Sequence, residues 1–205
     1  MHVVRCLLAI FLGCAAFLTT RLAVAEIRFR VDRETALRST RWLRAENLAL
    51  FDSSAEELRT AVDLNPRLSA AWIRLGLGAE ANGDLLAAET DLLQAARVDH
   101  LYVPAWTLSN FYFRRGDADK FWPWAERAAL LTFDDYRPLL RLADALDPSP
   151  QRAATRLGGG APLLRAYLDL LINAHRTGPA REIARLLAAH HDPSDQLRLA
   201  AFDYR

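Results

Sequence analysis

Beyond residue 30 the chain is a succession of leucine- and alanine-rich runs with sparse β-branched residues. No stretch alternates between apolar and polar for long, so the pattern predicts helices and no sheet. The runs cover about 33–50, 54–64, 69–82, 85–98, 104–115, 118–131, 135–146, 151–157, 161–176, 179–190 and 195 onward. Ser53 with Glu56, and Ser54 with Glu57, fit capping boxes, in which each side chain satisfies the other's backbone N–H. Asn65-Pro66 stops one helix because proline cannot continue it. Asp147-Pro148-Ser149-Pro150 and Gly158-Gly159-Gly160 are the clearest breaks.

The first 25 residues follow another rule. Arg5 precedes an apolar run from Cys6 to Leu18, Ala23-Val24-Ala25 follows, and the first acid is Glu26. That order matches a secretory signal with an A-x-A cleavage site. Retention as a membrane anchor is the rival, with residues 6–25 long enough to span a bilayer and Arg21 snorkelling near one end. A lipid-modification site at Leu12-Gly13-Cys14 fits less well, because Leu12 is large. Arg28, Arg30 and Arg33 would pull the following loop inward, whereas the A-x-A site favours export. Cleavage after Ala25 would remove both cysteines, Cys6 and Cys14, and leave no disulfide framework.

A repeat lies under the helical pattern. Trp72 and Trp106 are 34 residues apart; Gly83 and Gly116 are 33 apart, as are Ala95 and Ala128. On this count one residue is lost between Trp106 and Gly116. Trp72, Leu75, Gly76, Gly83, Ala88, Leu92 and Ala95 fall on the positions of a tetratricopeptide repeat, which this unit resembles. Ala79 replaces that family's tyrosine and His100 its closing proline. In the second unit Trp106, Phe113, Gly116 and Ala128 match, while Ser109 and Asn110 replace the Leu-Gly pair. Tyr167, Leu170, Gly178, Ile183 and Leu187 keep the register in a further hairpin.

The resemblance covers roughly residues 35–190 and is strongest over 66–131. It implies an all-α, right-handed solenoid of helical hairpins following an N-terminal signal or anchor helix. The organisation expected is 1–25 signal or anchor, 26–132 repeats, 133–160 an irregular helix pair and linker, and 161–205 a further hairpin with a terminal helix. Stacking is physically required, because one hairpin cannot bury its own apolar face.

Candidate chemistry is thin. Lys and Arg number 26 against 25 Asp and Glu, with no basic block, so nucleic acid is not an expected partner. Arg115-Gly116-Asp117 aligns with Asn82-Gly83-Asp84 as an inter-helix turn rather than an adhesion loop. His190-His191-Asp192 lies at a helix end and lacks a second ligand pair, so neither a metal nor another cofactor is expected. The Gly158–Gly160 run has no preceding strand and no Gly-Lys-Ser/Thr, which makes it a linker rather than a phosphate cradle.

Two surfaces carry the functional expectation. The repeat register places Ile73, Leu77, Glu80, Thr107, Phe111 and Arg114 in the groove lined by the first helix of each hairpin, a mixture suited to a peptide segment. Phe121 stands for Ala88 and Ala125 for Leu92, a swap that conserves core volume. Trp122 and Trp124, however, replace Glu89 and Asp91, so something must cover them: the 135–157 segment, or a partner, peptide or sugar. The resemblance therefore implies a non-catalytic scaffold for an unidentified protein partner, exported or membrane-tethered at a bacterial cell envelope. The alternatives are a glycan-binding accessory protein using Trp122 and Trp124, or a piece of a larger enzyme.

Overall fold

The computed structural model describes residues 54–132, 135–190 and 192–203, together with Phe17, Thr19, Thr20, Ala23, Ala45, Glu46, Leu48 and Ala49. Among these residues the chain is helical and has no strand. Among the described residues from 54 onward ten helices follow in order: α1 Ala55–Leu64, α2 Ser69–Ala81, α3 Leu85–Val98, α4 Tyr102–Arg115, α5 Ala118–Leu131, α6 Arg137–Leu146, α7 Pro150–Arg156, α8 Ala161–Asn173, α9 Thr177–Ala188 and α10 Pro193–Asp203. The expected signal or anchor at 1–25 and the expected helix at 33–50 fall almost wholly outside the described residues. Among the described residues no helix is long and apolar enough to cross a membrane.

The chain divides into two compact units, Met1–Asp91 and Leu92–Arg205, with the boundary inside α3. In the first unit Ala45, Leu48 and Ala49 share a core with Leu58, Ala61 and Val62 of α1 and Ala71 and Leu75 of α2. Of the two capping boxes expected, the one at Ser54 starts α1: its hydroxyl accepts from Glu57 N at 3.2 Å, and Glu57 Oε2 accepts from Ser54 N at 2.9 Å. Trp72 packs against this core and donates its indole N–H to Pro66 O at 2.9 Å.

In the second unit α4 packs against α5, and α6 meets both. Helix α8 meets α6 and α7, α9 meets α7 and α8, and α10 meets α9. Its core includes Leu108, Phe121, Leu139, Leu140, Leu164, Tyr167, Leu168, Leu171, Ile183 and Leu187, each at most 1% exposed. Burying one such large side chain contributes about 1.5–3 kcal/mol. Phe121 and Ala125 occupy the buried positions of Ala88 and Leu92, as the volume swap predicts.

One hydrogen-bonded turn recurs at the helix ends. Gly83, Gly116, Gly158 and His175 have φ of 82°, 67°, 88° and 56°. Each donates its N–H to the carbonyl three residues back, and the next residue donates to the carbonyl five residues back: Glu80 and Ala79, Phe113 and Tyr112, Thr155 and Ala154, Ile172 and Leu171. The distances are 2.9 to 3.1 Å. This Schellman arrangement satisfies carbonyls that a helix end leaves open. In the first two turns the following aspartate also starts the next helix, with Asp84 Oδ1 accepting from Ala87 N and Asp117 Oδ1 from Lys120 N. The Arg-Gly-Asp tripeptide is thus a helix end followed by a helix start.

Aligning the hairpins on this turn corrects the sequence register twice. In the α8–α9 hairpin the left-handed residue is His175, and the expected turn glycine, Gly178, lies inside α9. In α4 the equivalent of Trp72 is Ala105, and Trp106 matches Ile73, so no residue is lost before Gly116. Burial agrees: Ala71, Leu75 and Gly76 correspond to Pro104, Leu108 and Ser109, all buried. Tryptophan identity misleads because a large residue can sit one position along a helix, whereas the turn's hydrogen bonds admit one frame.

The turn yields a stability test. Gly116→Ala should cost about 1 kcal/mol, because a Cβ is strained at positive φ even where nothing crowds it. His175→Gly should gain about 0.5 kcal/mol, the relief of that strain less the extra entropy that glycine carries when unfolded. Urea unfolding midpoints at constant slope measure both changes.

Candidate functional site

Two adjoining recesses lie between α6 and α8. The larger, about 540 Å³, is lined by residues that include Asp135, Arg137, Arg141, Asp169, Ile172 and Asn173. The smaller, about 390 Å³, shares Arg141, Leu170 and Asn173 and adds Asp144 and Arg176. Their walls mix charge, amide and apolar surface. Pro138 near the start of α6 is tolerated because the first turn has no intrahelical use for its missing N–H.

Most of the charge here is already engaged. Asp135 Oδ1 accepts from Arg137 N at 2.9 Å and Nε at 2.7 Å, and Oδ2 accepts from Nη2 at 3.0 Å. Those hydrogen bonds to Arg137 hold the Asp135 carboxyl below the usual carboxylate range. Asp144 accepts from the Tyr167 hydroxyl at 3.0 Å on Oδ1 and from Arg176 on Oδ2. Burial, and then the neighbouring Asp144 charge, raise the Tyr167 pKa well above the phenolic value. Tyr167 therefore stays protonated near neutrality and donates to Asp144. Ile172 remains 45% exposed, and the Asn173 side chain brings both a donor and an acceptor to the cleft.

The residues expected in a groove are divided between the two units. Ile73, Leu77 and Glu80 lie on α2 in the first unit, where Leu77 is exposed and the other two are half-buried. Thr107, Phe111 and Arg114 lie on α4 in the second unit. Phe111 is buried and meets Tyr112 edge-on at 5.2 Å, so its side chain belongs to the core. Thr107 donates its hydroxyl to Val103 O at 2.8 Å, while Arg114 is exposed. In the turn-based register, Ile73, Leu77 and Glu80 correspond to Trp106, Asn110 and Phe113 on α4, and to Arg165, Asp169 and Ile172 on α8. The last two line the cleft. Anchoring the repeat on its left-handed residue is the signal that finds them. Arg141 and Asn173 carry no such signal, because their role depends on α6 lying beside α8.

The two tryptophans have covers within the chain. Trp122 meets Phe121 edge-on at 5.1 Å, and Phe121 in turn meets Phe113 at 6.2 Å. The Arg156 guanidinium from α7 lies over the Trp122 ring at 4.9 Å. Arg127 lies over Trp124 at 5.5 Å and approaches His100 Nδ1 at 3.0 Å. Guanidinium groups favour aromatic faces because the ring quadrupole is negative there. The position of Trp124 is also less solvated than its acidic counterpart suggests. Desolvation raises the pKa of Asp91 in the earlier repeat, and Ile183 in the later one is fully buried.

Helix α7 is held in place for this contact. Asp147 is 6% exposed and accepts from Ser149 N at 3.0 Å and from Arg152 Nε and Nη2 at 3.1 and 2.9 Å. Arg156 lies 3.9 Å from the same carboxylate, so it spans Asp147 and the indole. Hydrogen bonds from Arg152 and Ser149 lower the Asp147 pKa. At the other suggested sites, His190 Nε2 lies 3.2 Å from Gly159 O, and Asp192 is drawn into the start of α10; His191 falls outside the described residues.

Two outcomes are expected. Arg156→Ala should expose Trp122, shift tryptophan emission to longer wavelength and cost about 0.5–1 kcal/mol by chemical unfolding. For Tyr167, the folded pKa lies above the unfolded value of about 10. Its contribution is therefore complete below pH ~10 and is lost as pH rises towards the folded pKa. Tyr167→Phe should flatten the alkaline fall in unfolding midpoint and cost about 1 kcal/mol at neutral pH, since Asp144 loses a donor.

No family model matches this chain, and no curated protein matches it in sequence.

Proposed function

We propose that this chain is a tetratricopeptide-like, non-catalytic scaffold that takes an extended segment of a partner protein in the cleft between α6 and α8. The observation that carries the reading is neighbour packing around a recurring turn. Helices α4, α6 and α8 meet in sequence, α5 and α7 meet the first helix of the following pair, and the same left-handed reversal ends α2, α4, α7 and α8. A row of hairpins whose first helices adjoin supports a solenoid reading, since solenoids present clefts along such helices.

The cleft chemistry suits a peptide. Asn173 can both donate to and accept from a peptide backbone, Ile172 provides apolar contact, and Arg141 and Asp169 can match polar side chains. Export or membrane tethering at a cell envelope is part of the proposal and rests on the layout of residues 1–25 alone. The glycan reading is less well supported, since the Trp122 and Trp124 rings each carry an arginine on one face.

The test is affinity capture by the full chain from a cell-envelope extract, with a captured protein identified and then titrated. Arg141→Glu and Ile172→Asp should each weaken binding of that protein by about 10- to 100-fold, a loss of roughly 1–3 kcal/mol. Far-UV circular dichroism and the unfolding midpoint should stay unchanged. Binding unaltered in both variants would overturn the assignment of the cleft.

A further inference from the structure

The first turn of helix α10 carries an unusual contact. A surface helix ordinarily docks through an apolar stripe. Among the described side chains of α10, the one that is fully buried is a carboxylate, Asp195, at 0% exposure. Leu197 is 73% exposed, and Leu199 and Ala200 are half-buried.

The partner of that carboxylate comes from another helix. Arg165 of α8 donates from Nε to Asp195 Oδ1 at 3.0 Å and from Nη2 to Oδ2 at 2.7 Å. The same Nη2 reaches Asp192 Oδ2 at 2.8 Å. Asp192 in turn organises the start of α10: its Oδ1 accepts from Ser194 N at 2.9 Å and Ser194 Oγ at 2.7 Å, and its carbonyl accepts from Asp195 N and Gln196 N. Hydrogen bonds to Asp195 come first among the influences that raise the Arg165 pKa, so the guanidinium is charged at any relevant pH.

We infer that α10 is a releasable helix latched onto α8 by the fork of Arg165 on Asp195. A buried carboxylate is tolerable only while its cation is present; once the cation is removed, the charge regains water most easily if its helix leaves the seat. The latch is local because the groups it joins lie on α8 and on the first turn of α10. Losing it therefore opens one segment rather than the whole unit, in the manner of a sub-global opening. Release uncovers the surface of α9 that α10 meets and frees the Arg165 side chain of α8.

Amide hydrogen exchange on the full chain tests this, with Asp195→Asn, Arg165→Met and the double variant compared with the unaltered protein. Each single change should speed exchange across 193–203 by at least about tenfold and leave α4 and α5 unchanged. The double variant should be no faster than the faster single one, because the two side chains act as one pair. The inference is overturned if 193–203 is unprotected in the unaltered protein, or if the single changes leave it protected. Loss of protection spreading to α4 and α5, or additive effects in the double variant, would overturn it equally.

Discussion

Every hairpin reversal with the Schellman pattern depends on one backbone constraint: a residue at positive φ must close the preceding helix so that the chain can turn back. Gly83, Gly116, Gly158 and His175 meet it with the same two hydrogen bonds. Those bonds fix which carbonyls are capped and where the next helix begins. The face each following helix can bury is then set as well. Ala88, Phe121 and Ala180 stand five residues after the turn and are all fully buried, although one is far larger than the others. In the second hairpin the volume is balanced four residues on, where Leu92 gives way to Ala125; in the third, Ala180 is followed by Ala184 and no such exchange occurs. Close packing tolerates such exchanges provided total volume is kept.

Around that frame, electrostatics works in small, well-satisfied groups. Arg152 and Arg156 share Asp147, Arg176 and Tyr167 share Asp144, and Arg165 joins Asp192 and Asp195. In each group a carboxylate shielded from water is given donors from another turn or another helix. Removing one member leaves a polar group without its partner, which costs more than the intact contact contributes.

The same logic connects fold to the proposed cleft. Helices α6 and α8 approach closely enough to form a recess, while Tyr167 beneath it orients Asp144 and leaves Asp144 bound to Arg176. A cleft whose charges are mostly paired selects by shape and by backbone hydrogen bonding more than by net attraction. An extended peptide has such features to offer.

Much of the helix order was legible in residue type. Proline and glycine breaks, the box at Ser54 and the Gly-Asp pairs at 83–84 and 116–117 are local signals, since the atoms that cap a helix lie within a few residues of its end. The repeat pattern likewise marks Leu75, Phe121 and Leu187, all of them buried. The left-handed His175 was not legible, because nothing in a histidine demands positive φ; the helices on either side impose it. Nor was the burial of Phe111, the one-residue shift of Trp106, or the arginine covers on Trp122 and Trp124, each of which depends on what lies across a helix interface. The sequence by itself determined the helical class, the places where helices stop and the residue types fit for a core. Tertiary packing alone decided which face of each helix is covered, that Arg141 and Asn173 share a cleft, and that Asp195 is buried, because those outcomes depend on contacts between residues distant along the chain.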